Sequence, residues 1–337
     1  MTEAAIVVMN FNGKHLLPEC MTSLQAQSVR ADVVVVDNGS SDGSAEFIAK
    51  HFPEVRLLAL EKNLGFAAGY NDALECVPHP WVALLNNDAA LAPDWLEELL
   101  AVAEREPRAA ILGGKLLFRR IGQTGRILQS AGASFTDAGT AFELGWGQAD
   151  LGQYDQAARV GAISGAAMLV QRKVFLELGG FDAAYFAYLE DVDLCWRAWL
   201  AGHEVLYWPG AVALHRFGAT AGGRAAPFRI RWMQRNRLAN MAKNLEPASL
   251  PKAVAISLAY DAYRVLEYSG RRQFGALKAL AAGTLAFWKD LQLILARRSL
   301  IQRSRIIRDR VLREKRLLVP ALTAFREYRR LDRLRPS

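Results

Sequence analysis

Trp81-Val82-Ala83-Leu84-Leu85-Asn86-Asn87-Asp88-Ala89-Ala90-Leu91 decides how the rest of the chain is read. Its apolar run, Val82 to Leu85, stops at three polar residues, of which only Asp88 is charged. Such a run reads as a strand buried on both faces. The polar triplet then sits at the strand's carboxyl end, where open α/β sheets bind ligands. A single carboxylate there suits a hard divalent cation that takes its other ligands from water and phosphate. A polar turn leading to the next helix accounts for the same triplet without any ligand.

The same pattern recurs upstream. Ala5 to Met9 reads as a buried strand ending in Asn10-Phe11-Asn12-Gly13, and Leu16 to Ala26 follows with apolar residues at helical spacing. Val33 to Val36 is a second buried run, ending in Asp37-Asn38-Gly39-Ser40-Ser41-Asp42-Gly43-Ser44, a turn-and-cap segment that opens a helix over about 45–51. Val55 to Leu60 is a third strand, after which Asn63-Leu64-Gly65-Phe66-Ala67-Ala68-Gly69-Tyr70-Asn71 leads into another helix. Strands alternating with helices predict right-handed βαβ units and a mainly parallel sheet flanked by helices, an α/β fold.

Downstream, Pro93-Asp94-Trp95 opens a helix through about Glu104, with proline where a missing N–H costs little. Residues 111–160 are rich in glycine and lack a helix period; they read as irregular strands and a long loop of the kind that forms binding elements. Gly165 to Val170 reads as a strand and Arg172 to Leu178 as a short helix. Then come Glu190, Asp191 and Asp193, three acids within four residues set among Phe181, Tyr185, Phe186, Tyr188 and Trp196. At the amino end of a helix running to about Ala201 the dipole favours negative charge, but capping accounts for one acid and not three. The aromatics are either a wall for stacking a ligand or ordinary core. Val205 to Trp208 and Ala211 to Leu214 bring the chain to His215, either a partly buried structural histidine or a metal ligand.

At 337 residues and 52% apolar content, the chain holds one large α/β domain plus an extension. Three separated cysteines argue against a disulfide framework. The first residues lack the basic start and apolar centre of a signal peptide, which points to the cytoplasm. The net charge of +8 conceals a split, with residues 1–223 carrying −10 and residues 224–337 carrying +18. No G-x-G-x-x-G follows the first strand, so a Rossmann dehydrogenase is disfavoured.

Taken in order, Asn10-Phe11-Asn12-Gly13, Asp37-Asn38-Gly39-Ser40-Ser41-Asp42-Gly43, Asn63-Leu64-Gly65 with Gly69 and Asn71, Asn86-Asn87-Asp88, Glu190-Asp191 and His215 resemble the motifs of inverting glycosyltransferases of family 2. The resemblance covers about residues 4–245 and is strongest to the rhamnosyltransferase-like branch. It implies a GT-A nucleotide-diphospho-sugar transferase fold, a catalytic domain over 1–223 and a basic, mainly helical extension over 224–337. It also implies a nucleotide-sugar site built from Asn10, Asn12, Asp37, Asn38, Ser40, Asn63, Gly65, Asn71, Asn86, Asn87 and Asp88, with Asp191 as general base beside Glu190. Mg²⁺ or Mn²⁺ would be held by Asp88 and His215. Asn86 departs from the family's Asp-x-Asp motif by replacing its first acid. The implied donor is dTDP-L-rhamnose, with a UDP-hexose or UDP-galactofuranose left open, and the implied acceptor is a lipid-linked or polysaccharide sugar of a bacterial surface glycan. The Gln/Arg-x-x-Arg-Trp motif of processive synthases is absent after Asp191, which predicts a single transfer. The competing class is a non-catalytic nucleotide-binding scaffold with a degenerate metal motif.

The chemistry needs these residue types. Asp37 and Asn38 can pair with the polar edge of a pyrimidine, a cation on Asp88 would neutralise the leaving diphosphate, and Asp191 would take the acceptor's proton. In the tail, Leu277, Leu280, Ala281, Trp288, Leu291 and Leu295 form an apolar stripe on a helix read over 274–296, flanked by Lys278 and Lys289. Its longest uncharged apolar run, Ala279 to Trp288, falls short of the roughly 20 residues that span a bilayer. Two readings remain: a helix lying on an anionic membrane at the inner face of the plasma membrane, or one packed on the body or a second subunit. The arginine-dense end carries no nucleic-acid fold signature, so no nucleic acid is expected.

Overall fold

The computed structural model describes residues 4–119, 125–218 and 226–333. Strand β1 (Ala4–Asn10) is buried throughout, and its alternate side chains enter different cores. Ala5, Val7 and Met9 face one layer, while Ala4, Ile6 and Val8 face the other. That two-sided burial is why the strand is apolar at consecutive positions. Helix α1 (Leu17–Gln25), β2 (Asp32–Asp37), α2 (Ser44–His51), β3 (Arg56–Ala59), α3 (Gly65–Glu75) and β4 (Trp81–Asn86) follow. The four strands pair in parallel, as the alternation predicts. Their register sets Asn10 opposite Asp37 and Met9 opposite Asn86, so the polar strand ends gather at one edge. Helix α3 begins at Gly65, so most of Asn63 to Asn71, expected as a lead-in, is already helical.

The other half of the sheet is mixed. The chain continues through β5 (Ala89–Leu91), α4 (Trp95–Arg105), β6 (Ala109–Phe118), β7 (Leu128–Ser130), β8 (Ala133–Thr136), β9 (Ala141–Glu143), β10 (Ala158–Arg159), β11 (Ala167–Gln171), α5 (Arg172–Glu177), α6 (Glu190–Leu200) and β12 (Glu204–His215), with β8 and β9 in a separate small sheet. The strand order is β10-β12-β6-β11-β4-β1-β2-β3. β11 runs antiparallel to both β4 and β6, and β12 is parallel to β6. The region read as irregular strands and loop contains the ten-residue β6 and four short strands. The two runs before His215 are one strand, β12, broken in register between Trp208 and Val212. β12 also pairs with β5, which sets His215 opposite Ala89 and therefore beside Asp88.

The extension is α7 (Pro227–Asn244), α8 (Leu250–Gly270), α9 (Phe274–Lys289), α10 (Leu291–Ser304), α11 (Asp309–Glu314), β13 (Leu318–Val319) and α12 (Ala321–Arg333). It is tied to the body twice. β13 pairs with β8, and Leu238, Met241, Phe287 and Leu312 share one buried cluster with Val7, Tyr70 and Trp196. The helix read over 274–296 is two helices meeting at Asp290 with a bend of 63°. Asp290 there pairs with the buried Arg235 of α7 at 2.9 Å. Among the described residues no single helix is long and apolar enough to cross a membrane.

Helix α9 crosses α7 at Gly283, where an added Cβ would stand 2.4 Å from the Arg231 carbonyl oxygen. A backbone atom cannot step aside there as a side-chain tip can. Gly283→Val should therefore destabilise the protein by about 1–3 kcal/mol through overpacking, read as a lower thermal midpoint by calorimetry. An unchanged midpoint would show that α9 does not pack on α7 as described.

Candidate active site

A cleft of about 710 Å³ opens where the polar strand ends gather. Asn38, Asn63, Gly65, Asn86, Asn87, Asp88, Glu190, Asp191 and His215 all line it. The other expected residues stand behind this wall. Asn10 is fully buried; it donates to Asp37 Oδ1 at 2.8 Å and accepts from Asn87 Nδ2 at 2.6 Å. Ser40 donates its backbone N–H to Asp37 Oδ2, and its hydroxyl accepts from Asn12 N at 2.9 Å. Asn12 Oδ1 in turn accepts from Ser41 N at 2.8 Å. These residues bracket the loop after β2 against the ends of β1 and β4. Asn38 braces the next loop, accepting from Leu64 N at 2.8 Å and donating to Gly65 O at 3.0 Å. Asn71 does not line the cleft: both ends of its amide bond the Phe181 backbone at 2.8 Å.

Asp88 and His215 meet at one end of the cleft. His215 Nε2 lies 3.0 Å from Asp88 Oδ1, yet that oxygen is buried without a hydrogen-bond partner. On the ring's other side Nδ1 bonds Gln129 Oε1 at 3.0 Å. In the neutral ring this leaves the Nε2 lone pair facing the carboxylate, an arrangement that a shared cation satisfies. Among the described residues no group of three or more His, Cys, Asp or Glu side chains gathers around a metal position. The pair therefore fits a cation whose remaining ligands are diphosphate oxygens and water.

The acid pair occupies the first turn of α6. Asp191 accepts from Gly165 N and from Val192 N, each at 2.8 Å. Burial pushes its carboxyl above the ordinary range, and these two N–H groups pull it back. Glu190 has less of that help, its own backbone N–H alone, and its Oε2 is buried with no partner; burial first, and then the Asp191 charge, push it well above the ordinary range. Asp191 is thus the acid of the pair that ionises first. Asp193 is not a third site residue. Fully buried, it points away into Arg197 at 2.8 Å and Lys243 at 2.9 Å. Burial raises its pKa, but the two cations outweigh that and hold it well below the usual range.

The turn before α6 is unusual. Tyr188 and Leu189 both have positive φ, 71° and 67°, which costs roughly 1–2 kcal/mol per non-glycine residue. The fully buried Asn236 of α7 offsets this, donating to Ala187 O at 2.9 Å and Tyr188 O at 2.7 Å. From the other side Phe66 N donates to Phe186 O at 2.8 Å, and the Phe186 carbonyl stands where a side chain at Gly65 would be. The expected aromatic wall divides accordingly. Phe186 and Tyr188 line the cleft, whereas Phe181, Tyr185 and Trp196 are core.

Sequence reasoning missed Gln129, Glu143, Trp146 and Arg229, which also line the cleft. Glu143 bonds Ser130, and burial pushes its carboxyl up to about 7, with Asp191 adding to the shift. Arg229 stacks over Tyr188 and Phe217 at 4.9 and 5.1 Å. The gathering of these residues around one cleft within residues 111–160 and in α7 bears on the earlier expectation of a binding element there.

A cleft at the carboxyl ends of a GT-A-like sheet defines a nucleotide-sugar glycosyltransferase. The family model described as "Glycosyl transferase family 2" matches residues 5–176, and the chain belongs to that family. It is rhamnosyltransferase-like: an N-acetylglucosaminyl-diphospho-decaprenol L-rhamnosyltransferase of Mycobacterium tuberculosis is 32% identical over 240 residues, 64% of this chain and 77% of the relative. A mannosyltransferase from Pyrobaculum calidifontis, solved with GDP-Man and Mn²⁺, superposes with a TM-score of 0.53 at 16% identity, covering 86% of this chain and 88% of that one. GalNAc-T7, solved with UDP, GalNAc and Mn²⁺, gives a TM-score of 0.56 at 15% identity, over 72% and 50%. These two share the fold.

Two outcomes follow from the geometry. Asn236→Ala should lower turnover about 100-fold by freeing the turn into α6, while donor affinity changes little; a steady-state kcat within twofold or so of the parent would dismiss that positioning role. For Glu143, the folded state holds a proton that the unfolded chain has released, so stability falls as pH rises from about 4.5 to about 7. Glu143→Gln should accordingly gain more stability at pH 8 than at pH 5 in paired melting curves. Equal gains at both pH values would contradict it.

Proposed function

We propose that the protein transfers L-rhamnose from dTDP-L-rhamnose to a lipid-linked acetamido-sugar diphosphate in bacterial surface-glycan synthesis, inverting the anomeric centre. The observation that carries this reading is the 32% identity to a rhamnosyltransferase acting on a polyprenyl-diphosphate-linked N-acetylglucosamine, as that relative's name states. The placement of Asp191 and Asp88 in one cleft supports it.

In this reading Asn38 and Asn63 line the nucleotide end of the cleft, with Asp37 holding the loop from behind. Asp191, fixed by Gly165 N and Val192 N, accepts the proton of the acceptor hydroxyl as that oxygen bonds the anomeric carbon. The bond from that carbon to the diphosphate oxygen breaks on the opposite face, and dTDP departs. Asp88 and His215 would hold Mg²⁺ or Mn²⁺, which would supply Lewis-acid neutralisation of the diphosphate. Arg229 adds a cation to the cleft lining, which would supplement the positive charge on the diphosphate where Asn86 leaves the metal one carboxylate short. Burial and the Asp191 charge both push Glu190 upward, which opposes a second negative charge beside Asp191.

Calorimetric titration with dTDP-L-rhamnose, UDP-galactose and UDP-N-acetylglucosamine, with and without Mg²⁺ or Mn²⁺, tests donor and metal together. Metal-enhanced binding of dTDP-L-rhamnose alone is expected, and Asp88→Ala should remove the metal effect. Asp191→Asn should cut turnover by about 10²–10⁴ with donor affinity kept. Preference for a UDP-sugar would replace the donor assignment, retained turnover in Asp191→Asn would overturn the base assignment, and no binding of any donor would favour a non-catalytic scaffold.

A further inference from the structure

Helix α8 is built inside out. Beyond Ala253, its covered side is polar: Ser257 and Arg264 are buried, bonding Arg237 at 2.7 Å and Gln234 Oε1 at 2.9 Å, while Asp261 pairs with Arg237. Its exposed side is apolar, with Val254, Leu258, Val265 and Leu266 recurring at helical spacing and small alanines between them. A helix on a water-facing surface shows the reverse arrangement. The neighbouring α9 buries Ala276, Leu280 and Phe287 and still exposes Phe274, Leu285 and Trp288, the last at 62%. Both helices lean on α7, so their free faces point away from it. Large exposed apolar faces of this kind mark docking surfaces.

Charge says what docks there. Residues 250–308 carry eleven Lys or Arg and three acids. All three acids are already spent on arginines: Asp261 on Arg237, Glu267 on Arg271 at 3.1 Å and Asp290 on Arg235. Lys252, Arg271, Arg272, Lys278 and Lys289 are exposed around the apolar faces. A second copy would bring the same cations against them, and like charge opposes that pairing. An anionic lipid surface supplies both the apolar interior and the countercharge. Leu280, Phe287 and Ile294 are buried inside the protein, where a spanning α9–α10 pair would have to turn them to lipid, which favours docking on the surface over spanning. The face also reaches the cleft: a methyl on Gly275 would stand 3.8 Å from Pro227, next to Phe228, which is exposed and lines the cleft mouth.

We infer that the outward faces of α8 and α9 dock in the interface of an anionic phospholipid membrane and lay the mouth of the cleft at the lipid surface. The surface differs from the stripe expected from sequence, because Leu280 of that stripe is turned inward onto α7. It does not depend on which sugar is transferred.

The test is co-sedimentation of the full chain, without donor or acceptor, with vesicles of phosphatidylglycerol and phosphatidylcholine in equal parts and with pure phosphatidylcholine. Binding should be at least about tenfold tighter to the anionic vesicles and should weaken in high salt. Leu258→Glu with Leu266→Glu should lower it at least about tenfold. Because these side chains are exposed, circular dichroism and the melting midpoint should stay near the parent's. Lys278→Glu with Lys289→Glu, a second variant that leaves the apolar face intact, should weaken binding to anionic vesicles only. Absence of binding by the parent, equal binding to both vesicle types, or variants that bind as the parent does would overturn the proposal. So would a dimer in sedimentation velocity that the Leu258/Leu266 variant dissociates while the parent ignores vesicles. Failure of the vesicle assay leaves donor binding in the calorimetric assay untouched, so the two readings fail separately.

Discussion

The carboxylate of Asp193 has no access to water, and a buried charge is tolerated only when it is paired and hydrogen-bonded. Arg197, one turn along the same helix, and Lys243 and Asn244 from α7 supply those partners. Lys243 is shared with Asp182 at 2.6 Å, and Arg297 of α10 reaches the same Asp182. Removing Asp193 or Lys243 would strand charge in the core, and the shared pairs tie α6, α7 and α10 together. The acid pair that faces the cleft rides on the first turn of that same α6. The extension is therefore part of what fixes the site, and a good share of its positive charge is spent inside the protein. The exposed cations around α8 and α9 are among those left to act on the surroundings.

A second constraint acts at the sheet edge. Parallel strands in register bring Asn10, Asp37 and Asn86 to one line, and their side chains take different tasks according to exposure. Asn10 and Asp37 are buried and hydrogen-bonded to each other, to Asn87 and to Ser40, so they brace the loops around the cleft. Asn38, Asn86 and Asp88 reach the cleft. The unsatisfied Asp88 oxygen beside His215 is the one place on this edge where the protein leaves a buried acceptor open. Such an orphan is costly unless a bound group completes it.

Much of this architecture was legible because a strand buried on both faces writes itself as an apolar run, and β1, β2 and β4 stop at polar residues where the chain turns. Strand direction is not written that way. β11 looks like its neighbours in sequence yet runs against them, which makes the sheet mixed. β12 was split by Pro209-Gly210, which the structure absorbs as a register shift within one strand. The acid cluster around Asp191 was visible, but its division was not: only tertiary partners distinguish Asp193, aimed at Lys243, from Asp191, aimed at Gly165. Glu143 and Arg229 gave no local signal. Each sits in a segment whose pattern serves packing, and each joins the cleft through contacts far away in sequence.

The contrast between Glu190 and Asp191 shows how position alone assigns chemistry to two adjacent carboxyl groups. Both are in the amino-terminal turn of one helix, where the dipole favours an anion. One finds two N–H donors and the other leaves an oxygen bare, so desolvation acts on both but is opposed mainly at Asp191. The Asp191 charge then further disfavours a second charge at Glu190. The same logic reaches Glu143 across the cleft, which burial and Asp191 push up to about 7. Of Glu190, Asp191 and Glu143, burial raises all three, and Asp191 is the one that backbone N–H groups from two residues oppose, so that wall favours a single atom for the proton. The left-handed turn at Tyr188–Leu189 is the conformational cost of presenting that atom, and Asn236 of the extension is what sustains it.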